Sequence, residues 1–498
     1  MKSLDLRFRD MSIPPFNGKR IAVIDIGSSM VRMIIVETKA MYPHLLVHHK
    51  VWTALAKGKG EGTFVLSDKA MKRTKDALNW FSWTARQVGA EGIVAVASSA
   101  MREAENGEAF AAEIEKEFGF GVHIISGEEE AALAGEGALA GMPDASGIVL
   151  DLGGGSLELS ECSGRRRLAT FPLGILSLKE LSNHTPRKAQ EIVEKAISEH
   201  DWLPSAEGRD LIVLGSGMRT LARMHMSLIG YPLNILHDYR IKKDDAAAVF
   251  GDLVDGKLMM DGLSGMTPEW KEVLPYRAAA LIALMNATGM ENVRFGTFGL
   301  REGVLFTQCG YETEDNDLLL TYATEWANRS GFGAEVGLKR ARWILDHFSC
   351  LPDRLVMAAS LMVECGWREQ ATGRGHTVFE RILEGPYVGC SHKDRMFIGL
   401  CTYFRHEDEL LPSMMPLVHS VHSERVIQQA KLVGALLRLC GYLNPAGGGD
   451  LENVKLHCGG DYCEIMNSHM PETDEKGPVQ SVLKRIASLW ESGMAPCM

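Results

Sequence analysis

The sequence predicts an α/β fold of two related lobes facing each other across a cleft, followed by a helical block and a small hairpin-plus-helix module. Three observations carry this. Strand-like apolar runs alternate with helix-like periodicity from Ile21 to Ile125. A strand–turn–strand unit that ends its first strand in Asp25 then recurs with Asp151, an offset of 126 residues. From Asp315 onward the texture becomes helical. The expected divisions are an N-terminal lobe at residues 1–133, a second lobe at 134–310, a helical domain at 311–445 and an α+β module at 446–498.

Taken in order, a polar leader ends at Pro14-Pro15, and Ile21–Asp25 reads as a buried strand. A Gly-Ser turn leads to a second strand at Met33–Val36. Apolar positions at Ala70, Met71, Ala77, Leu78 and Phe81 predict a helix over Asp68–Val88. A strand at Gly92–Ala97, a helix near Glu108–Phe118 and a short strand at Val122–Ile125 follow. The repeat brings strands at Gly147–Asp151 and Leu157–Glu161 around a Gly-rich turn, then a strand–glycine-turn–helix unit at Asp210–Arg223. A helix at Tyr276–Thr288 leads to a strand at Val293–Thr297. Helices are expected at Leu318–Asn328, Ala341–Phe348, Arg354–Cys365, His376–Leu383, Lys393–Phe404 and Ser423–Cys440. The tail reads as a hairpin, Leu451–His457 and Cys463–Asn467 around Gly459-Gly460-Asp461, with a last helix at Val479–Ser492.

The 498 residues carry 53 Lys+Arg against 64 Asp+Glu, a net charge of −11, which argues against coating nucleic acid or an anionic membrane by bulk charge. With 46% apolar and 23% charged residues the chain has the composition of a globular protein, not a disordered one. The ten cysteines include no CxxC pair, and hairpin packing explains Cys458 and Cys463 better than zinc does, so the thiols read as reduced. The N-terminus lacks a secretory signal's apolar core and no apolar run spans a membrane, so a cytoplasmic location is expected.

The turns carry the chemistry. After a buried strand, a glycine turn can converge backbone N–H groups on an anion, and Gly27-Ser28-Ser29 and Gly153-Gly154-Gly155-Ser156 both have that form. A carboxylate beside such a turn repels phosphate unless a cation intervenes, so Asp25 and Asp151 suit direct or water-mediated Mg²⁺ contact. The competing explanation for one Asp-Gly turn is a self-capping strand end; two copies favour the metal. In Ser126-Gly127-Glu128-Glu129-Glu130, Glu129 fits a capping box with Ser126, while a general-base role could fall on any of the three glutamates. Arg32 and Arg102 are candidate phosphate clamps, each weighed against an ordinary surface ion pair. Arg165-Arg166-Arg167 reads as a solvated hairpin tip.

Together, IAVIDIGSSMVRMIIVE, VASSAMREAEN, IISGEEEAALAGEGAL, GIVLDLGGGSLELS, GSGMRTLARM and FGLREGVLF resemble the exopolyphosphatase/guanosine pentaphosphate phosphatase (Ppx/GppA) family, in the family's order, from Ile21 to Phe306. The resemblance implies duplicated ribonuclease-H-like lobes of the actin-like ATPase superfamily, an HD-like helical domain and a homodimer. It implies Mg²⁺-dependent (or Mn²⁺-dependent) release of terminal phosphate from inorganic polyphosphate, or from pppGpp; the acidic balance and the lack of an apolar span leave nucleic acid and membranes out of the expected partners. It also implies Glu130 as the catalytic base, and Asp25, Asp151 and Glu158 as metal ligands. Phosphate would be held by Gly27, Ser28, Ser29, Arg32, Arg102, Gly153, Gly154, Gly155, Ser156, Gly215, Ser216 and Gly217.

The chain departs from that pattern at Ser29-Met30, where Asn then Ser is common, at Ser98 in place of Thr, and at Gly217-Met218-Arg219-Thr220 in place of a Gly-Gly-Thr turn. In the helical block Met362-Val363-Glu364 offers no His-Asp metal dyad, and His237-Asp238 is read as incidental. His376, His392 and His406 read as helix histidines; Arg374, Lys393 and Arg395 are candidates for a polyanion track. A kinase of the same superfamily and a non-catalytic polyphosphate or alarmone sensor are the readings outside hydrolysis.

Overall fold

Each lobe grows from one apolar hairpin. In the computed structural model, which describes residues 19–39, 42–58, 63–162, 167–203, 207–258, 268–308, 317–366, 370–445, 451–459, 462–466 and 477–491, RIAVIDI forms strand β1 (Arg20–Ile26). It pairs antiparallel with β2 (Met30–Lys39), which pairs antiparallel with β3 (Tyr42–Trp52). Helix α1 (Asp68–Val88) follows, its N-terminus capped by Ser67, then β4 (Gly92–Ala97), α2 (Ser99–Glu103), α3 (Gly107–Phe118) and β5 (Val122–Ile124). Helix α4 (Gly127–Gly141) leads into β6 (Gly147–Leu152), β7 (Leu157–Glu161), β8 (Leu168–Phe171), α5 (Ile175–Leu181) and α6 (Pro186–Ile197). Then come β9 (Asp210–Leu214), α7 (Ser216–Leu228), β10 (Tyr239–Lys242), α8 (Lys243–Val254), α9 (Pro268–Thr288), β11 (Asn292–Phe295) and α10 (Leu300–Gln308).

The first sheet runs β3-β2-β1-β4-β5 and the second runs β8-β7-β6-β9-β11-β10. In both, the first two pairings are antiparallel and the next two parallel; β10 adds an antiparallel edge to the second. The duplication read from one hairpin thus extends through five strands. Between the sheets Ile21, Val23, Ile34 and Val36 pack with Leu133, Val304 and Leu305 in one core cluster. Helices α4 and α10 cross closely there, because a Cβ at Gly137 or Gly303 would collide with the other helix's backbone.

Strand β3 is absent from the sequence reading: five of its side chains are exposed, and its His and Lys positions blur the apolar alternation. Strands β8 and β10 and helices α5, α6 and α8 were likewise not anticipated. A helix is expected from Tyr276, but α9 begins at Pro268 and runs through Pro275. The His237-Asp238 pair is structural. His237 Nε2 is 2.9 Å from the Gly141 carbonyl, and Asp238 pairs with the buried Arg294, which also binds Asp144 at 2.7 Å.

Met1–Tyr231 with Leu236–Asn316 forms one compact unit; Pro232–Ile235 with Asp317–Met498 forms the other. The second contains α11 (Leu318–Ser330), α12 (Ala334–His347), α13 (Asp353–Met362), α14 (Arg374–Glu384), α15 (His392–Phe404), α16 (Met415–Val421) and α17 (Glu424–Leu443). A hairpin of β12 (Lys455–Gly459) and β13 (Tyr462–Met466) and helix α18 (Pro478–Glu491) complete it.

Two expectations change in this unit. Cys458 and Cys463 face each other across the hairpin as a disulfide, and Cys350 is also disulfide-bonded, so these cysteines are not the reduced thiols the composition suggested. Arg395 is buried and donates to the carbonyls of Leu383, Gly385 and Tyr387, so it is a packing residue and not part of a polyanion track. Glu364 lies buried between the guanidinia of Arg340 and Arg405. The leader at Pro14-Pro15, Arg165-Arg166, Gly460-Asp461 and Cys497 lie outside the described residues.

Candidate active site

The two hairpin turns are built alike. Gly27 N donates to Met30 O at 3.0 Å, and Gly153 N donates to Ser156 O at 3.0 Å. Strand register places Arg32 opposite Asp25 in the first lobe and Glu158 opposite Asp151 in the second. The turns approach each other closely: a Cβ at Gly154 would lie 2.8 Å from Ser29 Oγ, and one at Gly155 would lie 2.7 Å from Ser28 Oγ. Ser28 Oγ is in turn 2.8 Å from Ser99 Oγ. Only glycine allows the second turn this near the first.

Around the turns opens a cleft of about 1420 Å³. Asp25, Gly27, Ser28, Ser29, Arg32, Glu130, Asp151, Gly153, Gly154, Gly155, Ser156, Glu158, Gly215, Ser216 and Gly217 all line it. Arg102 is the exception among the sequence-derived candidates. Its Nη1 donates to the Ile125 carbonyl at 2.8 Å and to Glu130 Oε2 at 3.1 Å, which makes it a carboxylate partner and not a wall of the cleft.

The structure separates the three glutamates that the sequence could not. Ser126 Oγ accepts from Glu129 N at 3.2 Å and Ser126 N donates to Glu129 Oε2 at 2.7 Å, so Glu129 completes the capping box. Glu128 points to solvent, whereas Glu130 is 8% exposed and faces the cleft. Burial pushes the Glu130 carboxyl up to about 7 against the opposing pull of Arg102, with Asp151 and Asp25 adding to the rise. Burial also raises Glu158, which is 1% exposed, and Glu130 raises it further. Asp151 is raised by burial and by Asp25, against the pull of Arg32.

Mutual repulsion among four hard oxygen donors is the condition that a divalent cation relieves, and these residues fit such an ion chemically. Among the described residues no three Asp, Glu, His or Cys side chains make a ready-made metal cluster. A bound ion there would need water or substrate oxygens to complete its shell.

Sequence reasoning missed part of the cationic wall. Arg277, Arg301 and Arg219 line the cleft. Burial, reinforced by Arg301, lowers Arg219 to about 10; burial and Arg32 lower Arg277 to about 10. Arg277 comes from the middle of α9, where no local motif marks it; Arg219, in the altered third turn, is legible in the sequence as a phosphate ligand or a brace for its helix.

The sequence model described as the Ppx/GppA phosphatase family matches residues 34–312, and one described as exopolyphosphatase, C-terminal, matches residues 351–469. A guanosine-5'-triphosphate,3'-diphosphate pyrophosphatase of Aeromonas hydrophila is 28% identical over 311 residues, covering 59% of this chain and 60% of that protein. The chain thus spans less than two thirds of that relative's length. Among solved structures, the PPX-GPPA enzyme of Aquifex aeolicus is 24% identical, with a TM-score of 0.50 over 58% of this chain and 99% of the other. An exopolyphosphatase from Cytophaga hutchinsonii is 23% identical, with a TM-score of 0.52 over 59% and 99%. At these identities the structural likeness concerns the fold.

Proposed function

The chain belongs to the Ppx/GppA phosphatase family, and from that premise we propose that it is an exopolyphosphatase, releasing terminal orthophosphate from inorganic polyphosphate by Mg²⁺-dependent hydrolysis. The observation that carries this reading is Glu130, a buried carboxyl facing a cleft between two glycine turns, with its proton affinity raised into the neutral range. A base of that strength can take a proton from water at neutral pH. Arg102 holds Oε2, and Oε1 accepts no hydrogen bond from the described residues, so one oxygen is oriented and the other is open to water. The N–H groups and hydroxyls of the turns, with Arg32, would hold the terminal phosphoryl oxygens in line for attack. Asp25, Asp151 and Glu158 would hold Mg²⁺ or Mn²⁺ with its waters. When bound, the ion supplies charge neutralisation at the phosphoryl oxygens.

The second reading is a 5'-phosphohydrolase of pppGpp, favoured by the name of the Aeromonas relative. Both use one catalytic apparatus. A homodimer, a cytoplasmic location, actin-like lobes at 1–133 and 134–310, an HD-like domain at 311–445 and a separate module at 446–498 complete the proposal. They rest on the family resemblance. Side-by-side kcat/KM on long-chain polyphosphate and pppGpp tests the assignment, and phosphate release from neither rejects both readings.

A further inference from the structure

Trp52 is 57% exposed at the end of β3, yet it lines the cleft. A single exposed indole is ordinary on a protein surface, and Trp80 and Trp83 on α1 are exposed without lining that cleft. Three features set Trp52 apart. Its cross-strand partner in the β2–β3 register is Met30, which also lines the cleft and stands where the family pattern carries a hydroxyl. A thioether and an indole thus form an apolar lip directly beside the first phosphate turn.

The segment that follows Trp52 is fastened to that turn. Thr53 N and Ala54 N donate to Ser29 O at 3.1 and 3.0 Å, and Ala56 N donates to Ser28 O at 2.8 Å. Ala54 takes a left-handed conformation, φ 50°, to make this fit. A non-glycine residue held there is a feature of ligand clamps as well as turns. The strand end that carries the indole is therefore tied to the phosphate-binding backbone.

Cations line the same cleft. Lys57 is exposed there, and Arg73 lines it with its Nε buried and without an acceptor among the described residues. An exposed aromatic side chain in a cleft that also holds cations, on a strand end tied to a phosphate nest, suits a planar base carried on a phosphate chain. The cations would take the flanking phosphates and the indole the base. A plain phosphate chain has no use for the apolar lip.

We propose that Trp52 and Met30 form a stacking subsite for the nucleobase of a nucleoside polyphosphate whose terminal phosphate occupies the Gly27–Ser29 turn. The proposal deepens the second reading, a nucleotide phosphohydrolase, and rests on the phosphohydrolase site for the placement of the phosphates.

The test uses the full chain carrying Glu130→Gln, titrated with guanosine triphosphate, adenosine triphosphate and inorganic tripolyphosphate in the presence of Mg²⁺. The nucleotides should bind at least about tenfold more tightly than tripolyphosphate. Trp52→Ala should reduce that preference about tenfold, equivalent to about 1.4 kcal/mol; Trp52→Phe should keep most of it and Met30→Ser should lose part. Tripolyphosphate binding as tightly as the nucleotides, or a preference that Trp52→Ala leaves intact, overturns the subsite. Turnover is read separately on the wild type. If no chain releases phosphate the hydrolase reading falls, while the binding ratio still decides the subsite.

Discussion

The β1–β2 and β6–β7 hairpins are one design used twice, and they differ where the chemistry needs them to. Both close with a glycine N–H on the carbonyl three residues later, and both present an aspartate from the first strand. Seven residues beyond each aspartate, however, the first lobe carries Arg32 and the second carries Glu158. Arg32 Nη1 lies 3.3 Å from Asp25 Oδ2, so that aspartate has a resident cation. Asp151 faces a carboxylate instead, and both members of that pair are pushed up by burial. A duplicated turn can thus be specialised by one charge: on our proposal, both hairpins give an aspartate to the metal, while Arg32 adds a phosphate grip on the first side and Glu158 a further metal ligand on the second.

Exchanging the roles is the most direct way to break this comparison. Glu158→Gln should lower kcat about 10³-fold at fixed Mg²⁺, about 4 kcal/mol, with partial recovery as Mg²⁺ is raised. Phosphate-release rates across a Mg²⁺ titration check this; recovery without dependence on the metal would remove Glu158 from its role. Arg32→Gln should instead raise KM about 30-fold, about 2 kcal/mol of charge-assisted binding, with little change in metal dependence. A shift in the Mg²⁺ midpoint for Arg32→Gln would erase the distinction between the two hairpins.

Gly155→Ala tests their approach rather than their charge. The added methyl meets the hydroxyls of Ser28 and Ser99, and the strain should lower kcat/KM about tenfold while circular dichroism stays that of the wild type. A wild-type rate would mean the turns need not meet.

The smallest expected effect is in the pH profile. Glu130 must be deprotonated to act as a base, and burial places its carboxyl at about 7, so the rate should climb about tenfold per unit below that pH and level off above it. A cation beside Glu130 favours the carboxylate, so raising Mg²⁺ should move the rising limb to lower pH. A limb that ignores Mg²⁺ would place the ion away from Glu130.

Much of this was legible in the residues because the relevant signals are local. IAVID and GIVLD are short apolar runs ended by Asp, and a strand followed by Gly-Ser reads as a turn whatever surrounds it. Helix α1 was predicted at its observed bounds because its apolar positions keep helical spacing. The unanticipated elements are those whose pattern depends on neighbours. Strand β3 is an edge with a polar face, and α6 is held by packing against α9, with Glu194 meeting Asn286 92 residues along the chain.

The same division holds in the cleft. Glu129 and Glu130 differ by one residue, and only the helix direction after Ser126 decides which one caps and which one is buried. Arg102 was expected against phosphate because its position past a strand end gives its location, not its partner; the partner is Glu130, 28 residues later in the chain. Arg277 reaches the cleft by packing against the third turn at Gly217, a contact no spacing rule contains.

The central claim is that Glu130 activates water for attack on a terminal phosphate held between the two turns. Orthophosphate release from long-chain polyphosphate and from pppGpp, with Mg²⁺, by wild type and Glu130→Ala tests it most directly. The account predicts turnover of at least one substrate by the wild type and a fall of about 10³-fold or more in kcat for the variant, with substrate binding retained. Wild-type turnover by Glu130→Ala would contradict it.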